Sequence, residues 1–293
     1  MEPAPNRYRS IEFMDTIFTT HEASVRLGVF LGLFILIALT ERIVPRRVPG
    51  SPKTSRWFTN LGITLINTIS LRLLFPLIPV GFASYATEKG FGILNNFEFS
   101  LWIELIIGVL ALDFIIYLQH FLFHSLPLLW RLHVVHHTDM DFDITTGLRF
   151  HPIEIIISMG IKLLAVFALG PPAIAVLIFE ILLNGTAMFN HGNIRIPKGV
   201  DRILRLFVVT PDMHRVHHSV IIRETNSNYG FNLPWWDRLM GTYRAQPIRG
   251  HEGMTIGIGW LREAKRLTLP WLLAMPFTGK SRIHFTKIGK GLQ

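Results

Sequence analysis

The sequence predicts an all-α integral membrane protein, a helical bundle with a helical hairpin and a cytoplasmic histidine-rich cap. Three observations predict it. Of 293 residues, 49% are hydrophobic and only 17% charged, against about 25% charged in an average soluble domain. The apolar residues come in long runs, as they do when lipid is the solvent. Nine of the 13 histidines fall in a short-range pattern close to the ends of those runs.

The elements follow in chain order. Residues 1–23 are polar and lack the basic start and small-residue cleavage site of a signal peptide. The first span runs from Ser24 to Thr40 with one charge, Arg26, near its start. Arg42, Arg46, Arg47, Lys53 and Arg56 follow against a single acid, Glu41. The positive-inside rule makes that loop cytoplasmic and puts the N-terminus outside. A second apolar stretch, Trp57–Tyr85, is interrupted by Arg72 and two prolines, so it reads as a kinked span or a span plus an interfacial piece. A third span starts at Leu101 and ends near Phe123, at the first histidines.

Residues 152–190 form two apolar segments either side of Gly170-Pro171-Pro172, a strong breaker. Each segment, as helix, is about 27 Å long and barely crosses a bilayer. A hairpin with both ends cytoplasmic fits. Lys162 lies nine residues before Pro171 and Glu180 nine after it. The two side chains therefore meet at one depth and are expected to pair, because a lone charge in lipid is costly. After His191 the chain is polar to about Tyr243. The tail, 261–293, carries seven Lys or Arg against one acid around WLLAMPF and reads as an interfacial anchor.

The net charge of +9 suits an anionic membrane surface. No RNA-recognition signature, zinc finger or isolated basic helix points to nucleic acid. The absence of cysteine excludes disulfides, thiolate zinc sites and cysteine-ligated clusters. Any transition metal must be held by His, Asp or Glu.

His120 and His124 are one helical turn apart. His133, His136 and His137 form H-x2-HH, and His214, His217 and His218 repeat it; His191 stands where the hairpin returns. Positions i, i+3 and i+4 share a helix face, so each H-x2-HH turns its imidazoles toward one point. Nine histidines are too many for one tetrahedral site but suit two ions. Imidazole serves zinc, iron, copper and nickel alike. Asp113 and Tyr117 lie on the stripe above His120, where Asp113 can orient an imidazole or bind metal itself. His151, before a proline at a helix start, is expected to support the site or the fold. Asp141, Asp143, Thr145 and Thr146 are expected to cap the next segment or support the site. Trp235 and Trp236 suit an interface, with Asp237 holding a nearby imidazole or arginine. His21, His251 and His284 fit no pattern and are expected in solvent.

The order H-x3-H, H-x2-HH and a later H-x2-HH around a membrane hairpin resembles the fatty acid hydroxylase/sterol desaturase superfamily. So do the words WRLHVVHHTDMDFDITTGLRFHPIE, FNHGN, TPDMHRVHH and NSNYGFNLPWWDRLMGTYR, which resemble its bacterial branch. The resemblance covers roughly residues 100–245. It implies a membrane-bound di-iron oxygenase with His120, His124, His133, His136, His137, His191, His214, His217 and His218 as ligands to two iron ions (Fe2+/Fe3+), and O2 as co-substrate. It also implies a multi-pass protein of the bacterial inner membrane with the metal site on the cytoplasmic side. Several relatives carry a second histidine beside the position of His191. Asn190 and Asn193 stand there here, which puts the ligand count at one metal in doubt. The chain then divides into N-terminal membrane helices (1–99), a catalytic domain (100–245) and a basic interfacial tail (246–293).

The implied chemistry is physically consistent. A lipid C–H bond has no acidic proton, so it needs a strong one-electron oxidant made by reducing O2 at a metal, which side chains alone cannot supply. The outcome is an alcohol, or an alkene after a second hydrogen loss. The chain has no dinucleotide fingerprint or electron-carrying module. Electrons are therefore expected from a separate ferredoxin or cytochrome-b5-type donor. Two other readings remain, a zinc-dependent membrane hydrolase and a metal transporter or sensor.

Overall fold

A computed structural model describes residues 6–75, 79–263 and 267–278, with side chains from residue 21 onward. Among these residues the fold is helical, with two isolated β-bridges and no strand. Five segments are long and apolar enough to cross a membrane: His21–Ile43, Lys53–Asn96, Leu101–Ser125, Pro152–Leu169 and Ala173–Asn190. The all-α membrane bundle expected from the sequence is therefore the observed class.

Helix α1 spans Asn6–Ile43 and α2 Lys53–Leu74. The second apolar stretch is divided, because α3 (Pro79–Glu88) begins as a separate helix at Pro79. Helix α4 covers Leu101–Ser125. It stops where Pro127 restricts the backbone of Leu126 to an extended conformation, and Pro127 itself starts α5 (Pro127–His137). The hairpin is α6 (Pro152–Leu169) and α7 (Ala173–Asn190). Its first arm opens on His151, whose ring accepts from the Ile153 N–H, with Pro152 next. It closes on Gly170 in the left-handed conformation, φ 64°. A side chain at Gly170 would also strike the Phe91 carbonyl, its Cβ falling 2.5 Å away.

Helix α7 is the central strut, with α1, α3 and α4 packed around it. The main core joins Val80 and Ala83 to Leu112, Ile116, Val166, Val176 and Phe179. The outer faces of α1, α2 and α4 remain apolar, with Leu31, Leu36, Leu65, Leu73 and Trp102 exposed, as lipid-facing surfaces are.

Glu180 accepts from Lys162 at 2.7 Å, so the expected pair forms. A third partner was not foreseen. Arg26 of α1 also reaches Glu180, at 2.6 Å, and binds Glu22 at 2.8 Å. Glu180 thus ties the first helix to both arms of the hairpin. Glu180→Gln should lower stability by about 3 kcal/mol, as removal of one partner of a buried pair does. Melting in detergent that matches the unmodified protein would refute this.

Beyond the hairpin, short helices form the cap: α8 (Lys198–Leu204), α9 (Pro211–His217), α10 (Ile222–Thr225), α11 (Trp235–Leu239) and α12 (Gly250–Gly253). The tail departs from the expected anchor. Its described part forms α13 (Leu269–Ala274), and Leu272 and Met275 are buried against Ile63, Val134 and Val135. Its apolar side chains complete a core between α2 and α5; residues 279–293, including His284, lie outside the described residues. His21 is exposed as expected, but His251 is buried, 3.6 Å from Asp212. Its sequence neighbours gave no sign of this.

Candidate metal centre

The last two turns of α4 carry His120 and His124, and the last turns of α5 carry His133, His136 and His137. Helix α9 presents His214 and His217, with His218 at its C-cap, and His191 caps α7. Thr210 caps the start of α9 and accepts from the Met213 N–H. Four helix ends thus converge, and all nine imidazoles are buried.

They fall into two groups. His120, His124, His133, His137 and His217 form one; His136, His191, His214 and His218 form the other. Within each group the ligand nitrogens lie within 4.8 Å of one another. Asn190, beside His191, donates to the Phe231 carbonyl at 3.1 Å, and its Oδ1 has no hydrogen-bond partner.

The ring orientations are set from behind. Nδ1–H of His120, His136, His191 and His217 points at the carbonyls of Tyr229, Arg149, Ala187 and Ser227, at 2.7, 3.2, 2.7 and 2.7 Å. His133 Nδ1–H donates to Glu154 Oε1 at 2.6 Å, and His124 Nδ1 lies 3.4 Å from Asn226 Oδ1. Each such bond fixes the tautomer that leaves Nε2 as a bare lone pair. Burial holds His133 and His191 at about 3 and keeps His136, His137, His214, His217 and His218 well below the usual histidine range. At neutral pH these side chains are uncharged donors.

Those lone pairs face one another. Nε2 of His191 is 3.1 Å from that of His136, 3.1 Å from that of His214 and 3.2 Å from that of His218. His120 and His133 bring their Nε2 atoms to 3.1 Å. With Nδ1 carrying the proton on His136 and His191, and on His120 and His133, neither partner can donate across these gaps. Repelling lone pairs at this spacing are what a cation resolves. Metal–imidazole bonds of about 2.1 Å set adjacent nitrogens about 3.0–3.4 Å apart. Nε2 of His124, His137 and His217 and Nδ1 of His214 and His218 have no hydrogen-bond partner. The donor set fits two metal ions.

The supporting residues differ in part from expectation. Asp113 contacts none of the ligand imidazoles; it accepts from Trp236 Nε1 at 2.8 Å and Leu233 N at 3.3 Å. Tyr117 bonds Thr242 Oγ1 at 2.9 Å. Both face the 229–242 segment, which covers α4 on that side. Asp237 holds backbone instead of an imidazole or arginine, accepting from Tyr229 N and Gly230 N at 2.8 Å each. It thereby sets the Tyr229 carbonyl that orients His120. His151 caps α6 and lies 3.2 Å from the Leu273 carbonyl. Asp143 and Thr146 form a capping box around Ile144–Leu148, with Thr145 N–H donating to Asp143. Asp141 instead receives the amides of Gly50 and Ser51.

Sequence reasoning missed Glu154, although it stands in the quoted word HPIE, one turn into α6. It also missed a buried network beneath α5. Arg56 pairs with Asp139 at 2.6 Å and Asp143 at 2.8 Å. Arg149 donates to Asn60 at 2.8 Å, Thr138 at 2.7 Å and the Val135 carbonyl at 3.0 Å. Arg56, counted above among the loop cations, is a buried strut. Glu154→Gln should weaken metal binding or turnover about 10–100-fold, the usual cost of removing the group that orients a ligating histidine. Unchanged metal affinity together with unchanged rate would show that His133 needs no such support.

Residues 105–242 match the family model for fatty acid hydroxylase. The chain is 28% identical to an ornithine lipid hydroxylase of Rhizobium tropici over 265 residues, covering 87% of this chain and 76% of that protein. It is 29% identical over 160 residues to the alkylglycerol monooxygenase of Homo sapiens, spanning 33% of it. It is 25% identical over 170 residues to methylsterol monooxygenase 2-2 of Arabidopsis thaliana, spanning 63% of it. No solved structure matches the chain.

Proposed function

We propose, from the premise that this chain belongs to the fatty acid hydroxylase/sterol desaturase superfamily, that it is a membrane di-iron oxygenase which hydroxylates or desaturates a lipid with O2 and an external reductant. Relatives that are lipid hydroxylases and monooxygenases support the coarser reading, a lipid oxygenase. The observation that carries the finer one is the pair of buried, uncharged imidazole groups, five and four, with lone pairs converging. Bound there, two irons would supply the reductive activation of O2. The balance for hydroxylation is R–H + O2 + 2e− + 2H+ → R–OH + H2O.

The chain's own residues supply the setting. All nine histidines would hold the metals; Glu154, Asn226 and the carbonyls of Tyr229, Arg149, Ala187 and Ser227 keep the rings aimed. The surrounding helices keep bulk water from the reacting carbon. Electrons are proposed to arrive from a ferredoxin or cytochrome-b5-type partner. A cap groove of about 940 Å³, lined by Arg46, Arg195, Lys198, Arg202, Arg205 and Arg238 against Asp201, Asp212 and Glu252, offers an acidic donor a face of net positive charge. The Arg42–Lys53 cations favour the cytoplasmic side of a bacterial inner membrane for this cap. The same division is proposed as before: N-terminal helices 1–99, catalytic domain 100–245 and tail 246–293.

The test is metal content with Mössbauer or optical spectroscopy on protein expressed with iron and purified in mild detergent. Near two irons per chain, responding to dithionite and then O2, is expected. Two tightly held zincs, silent to O2, would shift the reading to hydrolysis.

A further inference from the structure

Helices α2, α4, α6 and α7 enclose a cavity of about 250 Å³. At one end it meets His120, His133 and Glu154; at the other it meets Arg26, Lys162 and Glu180. It therefore reaches the five-imidazole group, while no member of the four-imidazole group lines it. Glu154 and Lys162 are eight residues apart on α6, about 12 Å along the axis. Arg26 of α1 and Thr64, Asn67, Thr68 and Leu71 of α2 contribute to its wall.

A cavity for bare hydrocarbon would be walled with apolar groups, since each unmet buried polar atom costs about 1–3 kcal/mol. This wall includes Asn67, Gln119 and Glu154, and Asn67 Oδ1, Gln119 Oε1 and Glu154 Oε2 are buried without a partner. Their other atoms are spent. Asn67 Nδ2 donates to the Phe150 carbonyl at 3.0 Å, Gln119 Nε2 to Ser158 Oγ at 3.0 Å, and Glu154 Oε1 accepts from His133 Nδ1–H. Asn67 Oδ1 and Gln119 Oε1 are thus acceptors without a donor in a wall that is otherwise largely apolar. At the far end Lys162 and Arg26 are balanced by Glu180 and Glu22. Glu180 is 1% exposed against 12% for Lys162 and 30% for Arg26, so the accessible edge is cationic.

We infer that the cavity receives the hydrogen-bond-donating polar end of a lipid, a hydroxyl- or amine-bearing head. Asn67 and Gln119 accept from that head. Lys162 and Arg26 meet the ester, amide or acid oxygen at its root. The acyl chain stays in the bilayer, and oxygen is inserted on the head. This rests on the oxygenase reading for the chemistry, but not for the binding.

Binding is measured first, on metal-free full-length protein in detergent, by native mass spectrometry and thermal shift. The probes share one acyl chain: a monoacylglycerol, an N-acyl-lysine and the corresponding methyl ester. At least one donor-bearing probe should bind about tenfold more tightly than the methyl ester, the worth of one buried hydrogen bond. Gln119→Leu and, separately, Asn67→Leu should erase that preference while the circular dichroism stays unchanged. The hydroxyl and amine probes tell the two head chemistries apart. Equal binding of all three probes, or a preference that survives both substitutions, overturns the inference and leaves water as the cavity's occupant. Fragment mass spectra from iron-loaded enzyme then locate the added oxygen. Oxygen on the head fragment is expected. Oxygen on the acyl fragment overturns the inference and leaves the oxygenase reading standing. Donor-selective binding with no oxidised product from iron-loaded, reduced enzyme would instead sink the oxygenase reading alone.

Discussion

If the two irons proposed above are bound, His191→Ala should reduce them from about two per chain to about one and lower turnover at least about 100-fold. Outer partners of ligating histidines already cost 10–100-fold when lost, and a direct donor should cost no less. His191 is the hub of its group, its Nε2 within 3.1–3.2 Å of three others. Its position is exacting. Gly147 packs so closely that a Cβ there would lie 2.6 Å from the Ala187 carbonyl and 3.1 Å from His191 Nδ1. That carbonyl is the one His191 donates to. Removing the imidazole leaves His136, His214 and His218, too few to close the site. The other group keeps all five of its rings, so one metal should stay. Iron content by mass spectrometry and single-turnover product yield check this; two irons retained at full rate would remove His191 from the ligand set.

The second large effect is on stability. Asp139→Ala should destabilise the protein by about 3–5 kcal/mol, the cost of breaking a buried ion pair from one side. That corresponds to a fall in Tm of about 10 °C for a chain of this size. Asp139 is wholly buried and accepts from Arg56 at 2.6 and 2.8 Å, Thr146 at 2.9 Å and Asn60 at 3.2 Å. Burial alone would push its carboxyl up, but Arg56 beside it, with Arg149 nearby, holds it well below the usual carboxylate range. A depressed carboxyl of this kind stabilises fully at neutral pH and loses its contribution only as pH falls below about 4. Without it, the Arg56 guanidinium keeps only Asp143 as a charged partner. The double variant Arg56→Met/Asp139→Leu should recover part of the loss, because it removes both charges together. A single variant that melts like the unmodified protein, or a double variant no better than the single, would contradict the account.

Local patterns in the chain were the legible ones. The spacing of the histidines singled out the same nine that fold together, because i, i+3 and i+4 on a helix must share a face whatever surrounds it. The hairpin was legible because Gly170-Pro171-Pro172 ends one helix and starts the next. Depth counted from that turn brought Lys162 to Glu180. Pairings across distant segments were not legible. Arg56 and Asp139 are 83 residues apart, and Arg26 and Glu180 are 154 apart. Nothing in a run of basic residues after a span distinguishes Arg56, which turns inward, from Arg47 or Lys53. Asp113 was misread for the same reason: the stripe it shares with His120 is real, but the 229–242 segment lies over that part of α4 and claims its carboxylate through Trp236.

The division of the imidazoles into five and four has a consequence for assembly. Two pockets with unequal donor number and unequal access to the cavity between α2, α4, α6 and α7 are not interchangeable. Loading should be stepwise, with one position filling before the other as metal is added. A preparation short of iron would then be a uniform population of half-filled molecules, and its spectrum would differ in kind from that of the full protein.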